Sequence, residues 1–364
     1  MRLEVAMRSA LSLANHGIGS CYPNPSVGCV ILDKSNNLIG CGRTSDGGRP
    51  HAELNALSSL QGNPRGGTAF VTLEPCAHKD TTPSCAELLI KSGVKRVYIS
   101  VKDPDKRTAG KGIKLLEKAG IEVYTGLFSD EASDQNAGFL KRINHGLPSV
   151  SLKIASSLDG KIACFNGQSK WLTGKIARTH GHLLRAKYDV ILSGINSIIK
   201  DNSRLNCRVK GLEKRSPIKV VVDSKLSIPL SSNVINNVKK VPLIIWTSKS
   251  SNKKKKKELI DIGVEVLEIP KKNNNYLDLN YGLKNLSKKG YNSLLVEGGS
   301  EIYSSLIKEE LVDKIYYYRS GKIIGGDGLS SISSYNLINL QNAKKFKIFS
   351  SEIIDGDILE IWKK

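Results

Sequence analysis

The sequence predicts an α/β protein with two domains, on the strength of three observations. The chain has 364 residues, which is long for one hydrophobic core and sufficient for two. Short apolar runs of strand length alternate with segments of helical periodicity along both halves. The segment Asn144-His145-Gly146-Leu147-Pro148 interrupts this periodicity. We therefore expect one domain over residues 1–146 and another over residues 147–364.

The first half begins with apolar side chains at helical spacing over residues 3–15, and this helix is expected to end at Gly17. A continuous apolar run predicts a buried strand at residues 27–32. The remaining expected elements are helices at 51–60, 83–91, 112–119 and 129–143, and strands at 69–73, 96–101 and 121–124. This alternation predicts helices packed on both sides of a largely parallel sheet.

The second half follows the same rules without repeating the sequence of the first half, which indicates fusion rather than duplication. The expected strands are 150–155, 189–192, 218–222, 242–246, 264–268 and 293–296. The expected helices are 174–187, 277–288 and 301–308, and a polar loop is expected at 271–275. Residues 345–349 and 353–362 predict a terminal hairpin.

Composition indicates a soluble globular protein, because 40% of the residues are hydrophobic and 24% are charged. No apolar run reaches membrane-spanning length, so no membrane partner is expected. The N-terminal apolar stretch contains Glu4 and Arg8 and does not resemble a secretory signal. Seven cysteines, an odd number in so long a chain, favour thiols and metal over a disulfide framework. These features predict a cytoplasmic enzyme.

The net charge of +21 is unevenly distributed. Residues 1–146 contain 18 basic and 14 acidic residues, a net charge of +4, whereas the remainder contains 37 and 20, a net charge of +17. Part of the excess is the run from Lys253 to Lys257, expected to be a solvated helix start or loop. The excess charge is suited to attracting phosphorylated small molecules. It also leaves open a nucleic-acid-binding role for the second half.

The most informative residues are His51, Glu53, Cys76 and Cys85. One imidazole and two thiolates are three ligands for a tetrahedral zinc ion, and they leave the fourth position open for water. Glu53 is then a carboxylate that moves protons without binding the metal. Deaminases of the cytidine deaminase type combine His-x-Glu with Pro-Cys-x-x-Cys. Here eight residues separate the two cysteines, instead of two.

The placement of these ligands is predicted by their neighbours. Two residues that are two positions apart in mid-helix point in different directions, but Pro50 places His51 and Glu53 at a helix start. Thr82 is expected to cap the next helix, with Pro83 first and Cys85 in the first turn, where the helix dipole lowers a thiol pKa.

A purely structural zinc site remains an alternative to the catalytic one. Such a site requires a fourth protein ligand, for which His78 is the nearest candidate. A non-catalytic, zinc-stabilised scaffold is a further alternative. Glu53 argues against a scaffold, because a structural metal needs no proton shuttle.

Four segments resemble the bifunctional deaminase/reductase family of riboflavin biosynthesis. In the first half these are Pro23-Asn24-Pro25-Ser26-Val27-Gly28-Cys29, His51-Ala52-Glu53, Thr72-Leu73-Glu74-Pro75-Cys76 and Thr82-Pro83-Ser84-Cys85. The eight-residue gap is typical of this family. The resemblance continues in the second half at Leu152 to Lys161, Ser169 to Thr173, Val221-Val222-Asp223-Ser224 and Val296-Glu297-Gly298-Gly299-Ser300. The sequence departs from the family pattern at Lys79-Asp80-Thr81, Lys106 and Ser203.

The resemblance implies a cytidine-deaminase-like three-layer α/β/α domain followed by a dihydrofolate-reductase-like α/β domain. It implies zinc-dependent deamination of 2,5-diamino-6-(5-phosphoribosylamino)pyrimidin-4(3H)-one, with one Zn²⁺ per deaminase domain. NADPH then reduces the ribosyl chain to ribityl, giving 5-amino-6-(5-phosphoribitylamino)uracil. The implied partner is therefore a phosphorylated pyrimidine, with no nucleic acid. We also expect a homo-oligomer, because the apolar helices are large.

The resemblance also assigns roles to individual residues. In the deaminase, Glu53 is catalytic, Asn24 binds the pyrimidine, and the metal ligands are His51, Cys76 and Cys85. In the reductase, the cofactor residues are Ala155, Trp171, Ser197, Asp201, Ser224, Gly299, Ser300 and Glu301. The reductase substrate residues are Lys153, Ser169, Arg185, Leu205, Arg208 and Glu297.

The residues alone leave several of these roles open. Arg185 and Arg208 are suited to clamping a phosphate, although Arg185 is equally suited to a plain helix end. Trp171 is either a stacking platform or part of the core, and Asp201 contacts either the cofactor or the ribose. Lys153 or Glu297 orients or protonates the sugar. A deaminase acting on tRNA or single-stranded DNA, with a basic C-terminal module, remains the rival hypothesis.

Overall fold

A computed structural model describes residues 1–78, 83–272, 276–334 and 336–364. The chain divides into two compact units, Met1–Leu147 and Pro148–Lys364. Both units combine helices with a central sheet, so the predicted α/β class is confirmed. No helix in these described ranges has the length and hydrophobicity needed to cross a membrane.

The first unit has three layers built around one mixed sheet. Its helices are α1 Leu3–Gly17, α2 Ala52–Ser58, α3 Cys85–Ser92, α4 Lys111–Lys118, α5 Ser129–Gln135 and α6 Ala137–His145. Its strands are β1 Gly28–Leu32, β2 Leu38–Arg43, β3 Thr68–Leu73, β4 Arg96–Val101 and β5 Glu122–Thr125. The strand order is β2-β1-β3-β4-β5. Helices α1 and α5 pack on one face, and α2, α3, α4 and α6 pack on the other.

The expectation of a largely parallel sheet is wrong for this unit. Strand β1 runs antiparallel to both β2 and β3, whereas β3, β4 and β5 are parallel to one another. The reason is the hairpin between β1 and β2, which the sequence pattern does not predict. Without β2, the pattern is a simple alternation of strands and helices, and such an alternation predicts parallel strands.

Strand β2 was missed because two glycines interrupt its apolar pattern, and their role is to let α2 approach. A Cβ atom on Gly40 would lie 2.6 Å from the carbonyl oxygen of Ala56. A Cβ atom on Gly42 would lie 2.5 Å from the Ala56 nitrogen and 2.8 Å from the Ala52 oxygen. The backbone of α2 therefore rests directly on that of β2, which fixes the helix start that follows His51.

The predicted helix at 129–143 is divided into α5 and α6 at Asn136. The Asn136 side chain accepts a hydrogen bond from the Ser26 N–H at 2.9 Å and donates one to the Ser26 carbonyl at 2.9 Å. This pairing satisfies both backbone groups of a residue that lies outside any strand. Ser26 also donates its hydroxyl proton to the Ala14 carbonyl at 2.6 Å, which anchors the segment carrying Asn24.

Helix α3 begins later than predicted. Its N-cap is Ser84, whose hydroxyl accepts a hydrogen bond from the Glu87 N–H while Glu87 accepts one from the Ser84 N–H. This reciprocal pair is a capping box, which makes Cys85 the first helical residue. Pro83 precedes the helix instead of opening it. The expected cap Thr82 lies outside the described residues, as do Lys79-Asp80-Thr81.

The second unit is built around a larger sheet. Its strands are β6 Ser149–Ser156, β7 Lys161–Ala163, β8 Val190–Gly194, β9 Ile218–Val222, β10 Leu243–Thr247, β11 Glu265–Glu268, β12 Ser293–Val296, β13 Lys314–Arg319, β14 Leu329–Ser330, β15 Lys347–Ile354 and β16 Asp357–Lys363. Its helices are α7 Lys175–Arg185, α8 Ile195–Asp201, α9 Lys253–Asp261, α10 Leu279–Lys288 and α11 Ser300–Lys308. The main sheet has the order β11-β10-β9-β8-β12-β6-β13-β16-β15, and β7 pairs separately with β14.

This sheet is parallel from β11 to β13, and only the terminal hairpin of β15 and β16 is antiparallel. Each of the six strands predicted before the hairpin is present within two residues at its start, and the terminal hairpin is confirmed with its turn at a later position. The sequence pattern did not predict β7, β13, β14 or α8. Helix α9 contains the lysine run and starts after Asn252, which accepts a hydrogen bond from the Lys255 N–H. The helix-start interpretation of the run is therefore confirmed.

We expect Gly42→Ala to lower the free energy of unfolding of the protein by about 2 kcal/mol, because the new methyl group would overlap the backbone of α2. Urea unfolding monitored by circular dichroism measures this change. The matched control is Gly326→Ala, since a Cβ atom there meets no atom within 4 Å. Equal stability of the two variants would contradict the close contact between α2 and β2.

Candidate active sites

In the first unit, the start of α2, the end of β3 and the start of α3 bring three potential metal ligands together. The ligand atoms of His51, Cys76 and Cys85 all lie within 4.8 Å of one another. His51 is the N-cap residue of α2, Cys76 follows β3 by three positions, and Cys85 opens α3. Among the described residues, no fourth histidine, cysteine, aspartate or glutamate belongs to this group.

The distances in this group fit zinc. Nδ1 of His51 lies 3.7 Å from Sγ of Cys76 and 3.4 Å from Sγ of Cys85. Tetrahedral zinc with ordinary Zn–N and Zn–S bonds places such ligand atoms about 3.5 Å apart. His78, the candidate fourth ligand of a structural site, instead has Nδ1 3.4 Å from the Thr108 hydroxyl. The described donors therefore match a three-ligand site.

The electrostatics of this group favour a thiolate. Hydrogen bonds from Cys85 and His51 lower the pKa of the Cys76 thiol to about 4, against the opposing effect of burial. The Cys85 N–H, at the first position of α3, donates to Sγ of Cys76 at 3.3 Å. The pKa of Cys85 is raised, because it shares a proton with Cys76 and is buried. A thiolate is the form of cysteine that binds metal.

Glu53 lies in the first turn of α2, close to the three ligands but not among them. Its side chain is only 3% exposed, and this burial raises the pKa of the carboxyl group. The charges of His51 and Cys76 and a hydrogen bond with Cys85 also act on it. A buried carboxyl with a raised pKa beside a metal group is suited to taking up and releasing a proton.

Asn24 belongs to the segment that Asn136 anchors through Ser26. Its side-chain amide donates a hydrogen bond to the Gly48 carbonyl at 2.7 Å. Gly48 has φ of +87°, and a Cβ atom there would lie 2.9 Å from Cβ of Asn24. The hydrogen bond holds the Asn24 side chain against the loop that leads to His51. Glycine at position 48 leaves the space that the Asn24 side chain occupies.

In the second unit, α7 and the end of β12 bring together a cluster of charged residues. Arg185 and Glu297 form a paired ion contact, with Nε–Oε1 at 2.7 Å and Nη2–Oε2 at 2.8 Å. Arg185 also donates to the Asn206 carbonyl at 2.9 Å. His182 lies between two guanidinium groups, 3.5 Å from Arg185 and 3.1 Å from Arg208.

The charges in this cluster determine its protonation. Burial opposes ionisation of Glu297, but Arg185, with help from Lys153, lowers the pKa of Glu297 to about 2. Burial lowers the pKa of Lys153, an effect that the charge of Glu297 opposes. Burial and the two arginines lower the pKa of His182 to about 4. At neutral pH the cluster therefore holds a carboxylate, a neutral imidazole and three cations, which is suited to an anionic substrate.

A cavity of about 860 Å³ lies where the carboxyl ends of β8, β9 and β12 meet. It is lined by residues that follow each of these strands, including Ser197, Ser224 and Gly299. Small ligands in parallel α/β sheets bind at the carboxyl ends of the strands. Gly299 is the N-cap of α11, whose unpaired N–H groups suit a phosphate. The size and lining of the cavity thus fit a nucleotide cofactor.

The structure brings most of the predicted reductase residues to the cavity or to the charged cluster. The cavity is lined by Ser169, Ser197, Asp201, Ser224, Gly299, Ser300 and Glu301. Glu297, Arg185, His182 and Arg208 form the contacts of the cluster, and Lys153 influences the pKa of Glu297.

Three predicted residues differ from this pattern. Trp171 is 64% exposed and stacks on the Arg178 guanidinium at 4.4 Å, so the core alternative is wrong for it. Leu205 packs into the hydrophobic core and is not part of the cavity lining. Ala155 packs partly buried against another core cluster and is not part of the cavity lining.

The paired donors of Arg185 contact Glu297, which differs from the expected open phosphate clamp. Sequence reasoning also missed His182, although it precedes Arg185 by three positions on the same helix. That i, i+3 spacing was the available signal, because it places the two side chains on one face.

Two family models match the chain. The model described as "Cytidine and deoxycytidylate deaminase zinc-binding region" matches residues 1–101. The model described as "RibD C-terminal domain" matches residues 148–359, which is more than half of the chain.

Complete proteins match over nearly the whole chain. "Riboflavin biosynthesis protein RibD" from Bacillus amyloliquefaciens is 39% identical over 91% of this chain and 88% of its own length. The solved structure "Acinetobacter baumannii RibD, form 2" has a TM-score of 0.88 and 34% identity and covers 99% of this chain and 98% of its own. A diaminohydroxyphosphoribosylaminopyrimidine deaminase/5-amino-6-(5-phosphoribosylamino)uracil reductase from Thermotoga maritima has a TM-score of 0.86 and 33% identity, with coverage of 99% and 98%.

Proposed function

This chain belongs to the bifunctional deaminase/reductase family of riboflavin biosynthesis, and we propose how its two units and their residues divide the two reactions. The zinc group and Glu53 carry out deamination in the unit Met1–Leu147. The charged cluster and the cavity carry out reduction in the unit Pro148–Lys364. The observation that supports this division most strongly is the three-ligand group beside a buried carboxyl that does not belong to it.

In the deaminase unit, His51, Cys76 and Cys85 hold the metal, and Asn24 contacts the pyrimidine. Zinc held by these residues supplies the Lewis acidity that lowers the pKa of a water molecule. Glu53 accepts a proton from the water as its oxygen forms a bond to the carbon that carries the 2-amino group. Glu53 then delivers a proton to that amino nitrogen, which leaves as ammonia when the carbon–nitrogen bond breaks.

In the reductase unit, Lys153 and Glu297 act on the sugar, and Arg208 binds the substrate phosphate. NADPH, when held at the cavity, would supply a hydride, and with it two electrons, to the sugar carbon attached to the exocyclic nitrogen. The bond from that carbon to the ring oxygen breaks, and Lys153 supplies the proton that this oxygen takes up. Arg185 holds the Glu297 carboxylate in position, because its paired donors are committed to that contact.

The cavity at the carboxyl ends of the strands would hold the cofactor. Gly299 and Ser300, at the start of α11, would bind its phosphates, and Ser197, Asp201 and Ser224 line the same cavity. Trp171 is exposed and stacked on Arg178, which is consistent with a platform for a planar ring. The decisive experiment supplies the diamino-pyrimidinone phosphate with NADPH and measures ammonia and NADPH absorbance together. Absence of ammonia with metal-replete protein would refute the proposal.

We expect Glu53→Gln to keep its zinc but to lose ammonia release by at least about 10²-fold, because the amide cannot transfer the proton. NADPH oxidation with already deaminated substrate should be unchanged, and this provides the control for folding. Metal content is measured by atomic emission. Loss of zinc in this variant would mean that Glu53 is a ligand.

We expect Lys153→Met to lower the kcat of the reductase by about 10²-fold or more, because methionine fills the space but donates no proton. Ammonia release should continue at the normal rate. The matched control is Lys288→Met, an exposed lysine at the end of α10. A normal reductase rate in Lys153→Met would remove Lys153 from the mechanism.

We also propose that the protein assembles as a homo-oligomer through the edge strand β15. This strand ends the main sheet and carries exposed apolar side chains, Ile348 at 57%, Phe349 at 60% and Ile353 at 85%. An apolar edge strand is a site for pairing with another chain. Light scattering should give a mass that is a multiple of 39.7 kDa. Ile353→Lys should reduce that mass to the single chain, and a monomeric parent protein would contradict the proposal.

A cytosolic location remains part of this proposal, and the seven free cysteines support it. Nothing in the matches supports the rival nucleic-acid deaminase. The phosphorylated pyrimidine instead accounts for positive charge at the second site.

A further inference from the structure

The ammonium group of Lys153 is held between two elements without a polar partner. In the part of the chain that the structure describes, it forms no hydrogen bond or ion pair with another side chain. A Cβ atom on Gly181 of α7 would lie 3.5 Å from Cε of Lys153, so the lysine stem lies in contact distance of that backbone. The Lys153 carbonyl accepts a hydrogen bond from Tyr303 at 2.8 Å. Stem and backbone are therefore fixed, whereas the charge itself has no partner there.

The other side of the Lys153 ammonium faces an aromatic ring. Its nitrogen lies 5.5 Å from the centre of the Tyr318 ring. Strand β13 runs parallel to β6 with Tyr316 opposite Lys153 and Tyr318 opposite Ala155, so the Tyr318 ring reaches Lys153 diagonally across the sheet. Tyr318 is 1% exposed. A desolvated cation at this distance from a ring face is attracted to the π electrons.

Tyr318 is held in turn by a residue that the proposed mechanism does not use. Its hydroxyl oxygen lies 2.7 Å from Nδ1 of His180 on α7. Burial raises the pKa of Tyr318, and burial and Lys187 lower the pKa of His180. Tyr318 therefore keeps its proton and His180 is neutral, and the two groups share one hydrogen bond whose donor is set by the His180 tautomer. This hydrogen bond restrains the orientation of the Tyr318 ring.

We propose that Tyr318, oriented by His180, is a positioning residue that holds the Lys153 ammonium in place and in its charged form for proton transfer to the substrate. This inference rests on the proposed role of Lys153 in the reductase. Tyr318 is buried beneath Lys153 and acts on the reaction only through that side chain.

The ring matters because the other charged groups around Lys153 have opposing effects. Glu297, beyond β12, stabilises the ammonium, but its carboxylate is committed to Arg185. Arg185 on α7 repels the ammonium, and burial disfavours its charge. His182 on the same helix is neutral at pH 7, and burial raises the pKa of Tyr303, which therefore stays an uncharged phenol at that pH. Tyr318 therefore supplies an attraction that does not depend on the Arg185–Glu297 pair.

The test is the pH dependence of the reductase in Tyr318→Leu, measured with deaminated substrate and saturating NADPH. Removing the ring should lower kcat about tenfold and leave the KM for the pyrimidine unchanged. The loss of rate at high pH should begin about one pH unit lower, because the charged form of Lys153 has lost a cation–π contact. An unchanged pH profile would overturn the proposal, since a merely structural role of Tyr318 would not shift it.

Two further variants test the Tyr318 ring separately from its hydrogen bond with His180. Tyr318→Phe and His180→Gln keep the ring but break or weaken its hydrogen bond, so each should lower kcat severalfold without shifting the pH profile. The matched control is Tyr188→Phe, which removes the hydroxyl of a buried tyrosine in the same core cluster. Tyr188→Phe should behave as the parent protein. A shift in Tyr318→Phe as large as that in Tyr318→Leu would contradict the role of the ring.

The result for Lys153→Met shows whether the role of Lys153 or only the role of Tyr318 is wrong. If Lys153→Met abolishes reduction while Tyr318→Leu keeps the parent pH profile, only the role of Tyr318 is wrong. If Lys153→Met reduces substrate normally, the role of Lys153 itself is wrong. Ammonia release by the deaminase of the same chain and the thermal unfolding temperature verify that each variant folds.

Discussion

The partial positive charge at the start of a helix is the physical feature that both candidate sites of this protein share. His51 is the N-cap of α2, and the first N–H of α3, that of Cys85, donates to the Cys76 sulfur. Gly299 is the N-cap of α11 at the cavity. The partial positive charge at such positions stabilises thiolates and phosphates alike. The same backbone feature is thus present at the potential metal ligands of one unit and at the cavity of the other.

The buried charged residues of the second unit differ in how they are paired. Arg185 and Glu297 satisfy each other, and the pair keeps Glu297 ionised far below neutral pH. A buried pair of this kind is costly to break, so it provides a rigid reference point. The Lys153 ammonium lies near the Tyr318 ring and Gly181, and among the described residues it forms no ion pair. The cluster therefore combines one committed ion pair with one cation outside that pair.

The sequence predicted the α/β class, most element positions and the zinc group, because periodicity and ligand spacing are local properties. It failed at β2, where Gly40 and Gly42 replace the expected alternation so that α2 can approach. It also missed β13, where consecutive tyrosines do not distinguish the two faces of a strand. The contact of Arg185 with Glu297 joins residues 112 positions apart, and Leu205 enters the core through a long loop. Such contacts depend on the assembled sheet, which no local pattern encodes.

The ready ionisation of Cys76 has a consequence for the protein under stress. Hydrogen bonds from Cys85 and His51 lower the pKa of the Cys76 thiol, and the thiolate is the form of cysteine that peroxide and electrophiles attack. A metal on that sulfur blocks this chemistry. Shortage of zinc would therefore leave Cys76 in the first unit open to oxidation, whereas no cysteine is among the described residues that line the cavity of the second unit. Oxidation at Cys76 would therefore affect the two activities of this one polypeptide unequally.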